Sequence, residues 1–254
     1  MAIPVVHPTA SVSPAAIIGD DVEIGPFSII YDNVIIGDRV RIQSHCEIGV
    51  PTVLGNKSPL RISSDALIRS HSVIYESSEF GSRLITGHHV TIREQTIAGE
   101  NFQIGSYSDV QGTCQIGNYV RLHSGVFVCQ HTKIGNFVWI LPHVVFTNDP
   151  HPPSNLYAAP EIGDHAVICA NAVILPGVKI GQYSMVGAQS CVHNDVAPDT
   201  VVAGVPAKFL CETSKIKLRD GSGRPAYPWP EHFTRGYPDS ITADWAKKSE
   251  RSSQ

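Results

Sequence analysis

The sequence predicts an all-β chain of very short strands joined by tight corners, and three observations carry that expectation. One apolar residue recurs at every sixth position: Val12, Ile18, Ile24, Ile30, Ile36, Ile42, Ile48 and Leu54. After two extra residues the beat resumes from Ile62 to Phe146, and after a longer gap from Ile162 to Val192. Of these 29 positions, 25 are Ile, Leu or Val. Glycine often follows the beat, as at Gly19, Gly25, Gly81 and Gly117, and a small or β-branched residue often stands two positions before it, as at Cys46, Val90 and Thr132. Finally, a period of six matches neither an α-helix, with its period near 3.6, nor an alternating strand. It fits strands of a few residues whose branched side chain points inward, with glycine relieving each corner.

Along the chain, residues 1–211 form one domain carried by this beat. Its main interruption is "TNDPHPPSNLYAAPE", residues 147–161, a proline-rich excursion of a length that in compact domains usually has a function. Residues 212–254 have no beat. In that segment "KIKLRD" reads as either a strand or a short helix. "GSGRPAYPWPEHFTRGYPDS" reads as an ordered tail packed on the repeat, and "KKSERSSQ" as a disordered end.

The totals exclude several classes. A formal net charge of −4 argues against a general nucleic-acid binder. No apolar run approaches the roughly 18 residues needed to span a bilayer. The amino terminus "MAIPVVHPTA" has no basic n-region and no apolar h-region, which argues against a secretory signal. Six scattered cysteines without a CxxC pair read as free thiols, and with them the expected compartment is the cytoplasm.

On the beat and its glycines, the chain resembles the hexapeptide-repeat acyltransferases, over about residues 7–211. The resemblance implies a left-handed parallel β-helix with three hexads per 18-residue coil. It therefore implies nine to ten coils, stacked about 4.8 Å apart. It further implies a homotrimer with active sites between subunits. Coenzyme A thioesters, acetyl-CoA above all, are the implied co-substrate, with no tightly bound cofactor and no metal. The phrase "FTND-H-P" followed by "VVAGVPAK" resembles the branch that acylates amino groups on nucleotide-linked sugars for surface polysaccharides. The aromatic tail around Tyr227, Trp229 and Phe233 resembles that of relatives acting on dTDP-amino-deoxysugars, which favours dTDP over UDP and implies for the tail either substrate binding or trimer packing.

Positions 18 apart stack on adjacent coils. One column then holds Glu76, Glu94, Gly112, Gln130 and Asn148, and its neighbour His71, His89, Tyr107, Gly125 and His143. Read together they form one polar edge beneath the excursion. Several relatives carry a catalytic histidine four residues before a beat position. Here that position is Gln130, with His131 one residue later. An amine nucleophile fits this departure. A sugar amine beside hydroxyls is largely uncharged near neutrality, so orientation and oxyanion stabilisation suffice. A hydroxyl would need a base to take its proton.

The catalytic set expected on this basis is Asn148 and Gln130 to orient the amine, Asp149 as loop support or sugar contact, and Glu94 toward the sugar. His123 joins them as a pocket residue or a structural one. Arg93, Asp109, His88 and His143 are the expected substrate contacts, with Arg69 and Arg121 as further phosphate candidates. By resemblance, coenzyme A lies against Ala170, Gly187 and Ala188, with Lys208 near a phosphate. The alternatives are a lipid A type O-acyltransferase using acyl carrier protein, or a non-catalytic binding β-helix. A zinc-dependent γ-carbonic anhydrase is disfavoured because Ser124 and Cys129 stand where its histidines align.

Overall fold

The computed structural model describes residues 3–243 and 245. The chain winds into a parallel β-solenoid of three faces, with eleven parallel strands on the first, ten on the second and nine on the third, consistent with a left-handed β-helix. Most strands are two residues long, one facing in and one facing out. The beat supplies the inward residue. Ile24, Ile42, Ile68, Ile74, Ile92, Ile140 and Ile174 are all buried to 2% exposure or less, in one continuous core shared by the faces. Each such side chain contributes about 1.5–3 kcal/mol by leaving water. The first face exceeds the implied nine to ten coils because it gains Val5–Val6 before the first beat position and Thr200–Gly204 after the last.

Consecutive coils pair in register at 18 residues, as Thr91 with Asp109 and Asp109 with Phe127. Backbone groups of a strand that lies between two coils are thus satisfied by the coils above and below. At the third corner a ladder of side chains fixes the same register. Asn118 Oδ1 accepts from Glu100 N, Asn136 Oδ1 from Asn118 N, and Asp164 Oδ1 from Asn136 N, at 2.7–2.8 Å.

The corners correct two expectations. Glycine after the beat, Gly49 at φ +86° excepted, does not serve the turn. The left-handed backbone falls three residues before the beat, mostly on other residues such as His71, Gln95, Asn101 and Thr113, with φ between 51° and 62°. Glycine is instead required by close stacking: a Cβ on Gly81 would sit 2.7 Å from the Gly99 carbonyl carbon, and one on Gly117 2.6 Å from that of Gly135. Leu54, counted as a beat residue, lies 57% exposed in a second excursion between the strands Glu47–Val50 and Leu60–Ile62. Gln95 Nε2 donates to the Leu54 carbonyl and Thr52 N to Glu76, so this loop folds back along the coils that follow it.

The tail lies against the third corner and the upper first face. Trp229 and Tyr237 are buried against a stack of Tyr119, Phe137, His165 and Tyr183. Of "KIKLRD", Lys215 closes a one-turn 3-10 helix, Thr213–Lys215, and Lys217 makes an isolated antiparallel bridge to Pro225. The terminal segment expected to be disordered lies outside the described residues. A hairpin, Thr200–Gly204 with Ala207–Glu212, closes the carboxyl end of the first face.

Candidate active site

The long excursion leaves the second corner, between the second and third faces, directly after Val145–Phe146. Its neck is closed by Ala158 N donating to the Asn148 carbonyl at 2.8 Å. Inside it, Asp149 accepts from His151 N, Ser154 N and Ser154 Oγ at 2.6–3.0 Å. Those bonds, the Ser154 hydroxyl first, hold its carboxyl below the usual range. At the root, Asn148 Nδ2 donates to the Gln130 carbonyl at 3.4 Å. A cavity of about 320 Å³ opens there, with Gln111, Gln130, Asn148 and Asp149 as its polar lining and Phe127 and Phe146 as its apolar wall. His131 stands at φ 67° and its exposed ring meets Tyr157 edge-on at 5.6 Å, away from that lining.

One coil below Phe127, Asp109 faces outward from the second face. Its Oδ2 accepts from Gln111 Nε2 at 2.8 Å, while Oδ1 is buried with no hydrogen-bond partner among the described residues. Burial pushes this carboxyl's pKa up. Glu94 departs from the role expected of it. It is 3% exposed, and both its oxygens accept from Arg93, at 3.1 and 3.2 Å. Neither Arg93 nor Glu94 therefore offers an uncompensated charge to a ligand. Gly112, at φ +90°, leaves room over this pair: a Cβ there would meet the Glu94 carbonyl oxygen at 2.8 Å.

The two columns do not make one edge. An offset of five residues is nearly a full hexad, so the histidine column occupies the first corner, at the opposite margin of the second face. There His45, His71, His89 and Tyr107 stack with centroids 4.6–5.0 Å apart, and His143 lies over Gly125. His88 and His123 border the neighbouring first face, where a cavity of about 550 Å³ also takes in Arg69, Arg121 and Arg235. His88 shares a hydrogen bond with Ser70 Oγ at 2.8 Å. Burial lowers the pKa of His123 and keeps its imidazole neutral. Within one chain, then, the loop-root residues and the histidines line separate cavities.

Of the expected coenzyme A contacts, Ala170 and Gly187 are already engaged within the chain. The Ala170 carbonyl accepts from Gln189 N at 2.9 Å, and a Cβ on Gly187 would come 2.8 Å from that of Ala203. Ala188 is exposed at the same first corner, and Lys208 is exposed on the terminal hairpin opposite Ala203. Sequence reasoning missed Gln111, which the 18-residue column of Gln130 does not contain, and the joining of Trp139 to the aromatic tail. The six cysteines are free, and burial lifts the Cys114 thiol to about 12, so that group is packing rather than chemistry.

Comparison with known proteins agrees with this architecture. The model "Bacterial transferase hexapeptide (six repeats)" matches residues 15–49 and 159–194. A galactoside O-acetyltransferase of Escherichia coli K12 is 38% identical over 158 residues, covering 57% of this chain and 78% of the relative. The chain belongs to the hexapeptide-repeat acyltransferase family. A dTDP-4-amino-4,6-dideoxy-D-glucose acyltransferase of Escherichia coli is 23% identical over 203 residues, 79% of this chain and 84% of that one. More numerous are relatives named acyl-[acyl-carrier-protein]–UDP-N-acetylglucosamine O-acyltransferase, such as that of Campylobacter concisus, 26% identical over 201 residues, 78% of this chain and 70% of that one. The chain spans from 41% to 84% of the length of the relatives it matches. The solved UDP-N-acetylglucosamine acyltransferase from Campylobacter jejuni has the same fold, with a TM-score of 0.51 at 17% identity, over 95% of this chain and 82% of that one.

Proposed function

We propose that this hexapeptide-repeat protein is an acyl-CoA-dependent N-acyltransferase that acts on the amino group of a nucleotide-linked deoxysugar, dTDP-linked before UDP-linked. The observation that carries this reading is the chemistry of the loop root. It presents the amides Gln111, Gln130 and Asn148, and among the described residues no imidazole lines it. Asp149 also lines it, but three hydrogen bonds within the loop engage its carboxyl and hold it below the usual range, so this lining suits orienting a neutral amine better than taking a proton from a hydroxyl. The amine attacks the thioester carbonyl, the tetrahedral adduct collapses, and the departing thiolate accepts the surplus proton. In this reading Asp109 is a positioning residue on the same face, its Oδ2 accepting from Gln111 Nε2 and so fixing one of the three amides of the lining.

A homotrimer is part of this reading. Outward residues of the third face are mostly charged or polar: Arg61, Glu79, Gln115, Lys133, Glu161 and Lys179. Those of the second face include Val73, Phe127, Val145 and Val173, and of the first Leu67 and Ile85. Packing about a threefold axis at the first corner would set the first face of one copy against the second face of the next. The loop root of one copy would then stand at the outer end of this interface, opposite the tail-bearing margin of the neighbour's first face, with His88 and His123 nearer the axis.

A second reading, O-acyl transfer, is favoured by His123: a neutral imidazole across such an interface would serve as a base. One experiment separates the two. Purified protein is assayed for thiol release from acetyl-CoA with 3-amino and 4-amino dTDP- and UDP-sugars and with their hydroxyl analogues. Release with an amino sugar alone supports N-acylation. Release with the hydroxyl analogue would replace it by the second reading, and silence with both would remove acetyl transfer to these sugars.

A further inference from the structure

The cavity on the first face continues into a second one of about 380 Å³, and the two share His123, Trp139 and Phe233. Their linings differ in kind. The outer part holds three guanidinium groups. Arg69 is pinned by its Nη1 donating to the Thr86 carbonyl at 2.6 Å. Arg121 is buried with its Cζ 5.4 Å from the Tyr237 ring centre, and Arg235 is exposed over Phe233 at 5.7 Å. Among the described residues no carboxylate lies within ion-pair distance of any of the three. Three uncompensated arginines at one cavity suit a dianion or a pyrophosphate.

The inner part is built by the tail. Tyr227, Trp229 and Phe233 close against Trp139 and Leu141 of the first face. Trp139 and Phe233 stand edge to face at 5.7 Å, and Trp139 and Trp229 at 6.2 Å. Both indole N–H groups are satisfied elsewhere, Trp139 Nε1 by Tyr237 Oη at 3.0 Å and Trp229 Nε1 by the His165 carbonyl at 3.2 Å. With those N–H groups engaged, the indoles offer the cavity aromatic carbon rather than donors, a lining suited to a flat heterocycle whichever base it is.

We propose that the aromatic tail and the three arginines form one cleft for a nucleoside diphosphate, the base among Tyr227, Trp139 and Phe233 and the pyrophosphate at Arg69, Arg121 and Arg235. The inference deepens the proposed function and rests on it for the ligand's role, because two substrates of that reaction carry this chemistry: the sugar nucleotide and the ADP portion of coenzyme A. It also gives residues 227–237 a function beyond covering the solenoid. Without the tail the first face would offer arginines but no slot.

All three tryptophans of the chain, Trp139, Trp229 and Trp245, belong to this aromatic cluster, so their fluorescence reports on it directly. Full-length protein is titrated separately with dTDP, UDP, ADP and coenzyme A, and with thymidine and inorganic pyrophosphate as half-ligands. The expected result is a saturable change with at least one diphosphate nucleoside, tighter than with either half. Arg235→Ala, at an exposed position, should weaken that binding about tenfold with an unchanged melting temperature. A response to dTDP or UDP assigns the cleft to the sugar nucleotide; a response confined to ADP and coenzyme A assigns it to the donor. Both support a nucleoside diphosphate site. No response to any diphosphate, or an unaltered Kd in Arg235→Ala, overturns it. Thiol release remaining intact while nucleotide binding fails would remove the cleft alone. Nucleotide binding without thiol release would remove only the acyl-transfer reading.

Discussion

Asn148 reaches down one coil to donate its side-chain N–H to the Gln130 carbonyl, 3.4 Å away. The first residues of the excursion are thereby tied to the corner that lacks a histidine, and the cavity between them keeps its shape. Asn148→Ala and Gln130→Ala should each lower kcat/KM for an amino-sugar acceptor about ten- to hundredfold, equivalent to roughly 1.4–2.7 kcal/mol of transition-state stabilisation. Steady-state thiol release measures this. Wild-type constants in both variants would remove these residues from the site.

Asp109 should show function opposed to stability. Its folded-state pKa is raised by burial, so the native fold loses stability as pH rises through that value and holds it fully below the unfolded pKa. Asp109→Asn should therefore melt higher than wild type at pH 7, the difference vanishing in acid, while its kcat/KM falls. A lower melting temperature at pH 7 would contradict the burial argument, and unchanged kinetics would contradict the role.

The sign for His123 is the reverse. Burial depresses its pKa, so only the unfolded chain binds a proton as pH first drops below about 6.5. Stability linked to this residue is present above that pH and is lost as pH falls toward the folded value. His123→Gln should flatten part of the decline in melting temperature between pH 7 and 5. Identical slopes in both proteins would dismiss the effect.

Arg93 neutralises a carboxylate that is 3% exposed. Removing the arginine alone leaves Glu94 buried and charged, and Arg93→Ala should cost about 3–5 kcal/mol in urea unfolding. The double variant Arg93→Met with Glu94→Gln should recover most of that. If the single variant is harmless, the pair is not the buried contact described.

Corner substitutions test the stacking account. Gly81→Ala forces a Cβ to 2.7 Å from the Gly99 backbone, which must shift, and it should destabilise by about 1–3 kcal/mol. Thr113→Gly relieves a β-branched residue at φ 51° and should stabilise by up to about 1 kcal/mol. Equal effects at both positions would undo the division of labour between corner glycines and left-handed residues.

The core was legible because its rule is local: the inward residue of a two-residue strand must be apolar and usually branched, and Ile24 or Ile74 obeys it visibly. Leu54 satisfied the same rule chemically and broke it structurally, since a loop tip accepts leucine as readily as a core does. The polar columns were legible as columns but not as corners. A stack at an 18-residue spacing states which residues are above one another, and leaves open which margin of a face each column occupies. Hence Gln130 and Asn148 came together as expected, whereas His88 and His123 fell on the far side of the second face. Glu94 was misjudged because its partner, Arg93, is adjacent in sequence and turns its guanidinium back along the same corner. The tail had no period to read, and its docking on Trp139 depends on ring packing across 90 or more residues.

The two ends of the solenoid are finished differently. At the carboxyl end a hairpin covers the first face, whereas among the described residues the strand at its other end, Val5–Val6, pairs with Glu23–Ile24 alone. In a structure where each coil contacts only its neighbours, loss of order can spread like a zip and starts where a coil has one neighbour instead of two. The loop root has neighbours on both sides, six strands before Phe127 on the second face and three after it, so loss of order entering from either end must cross several coils before it reaches the site.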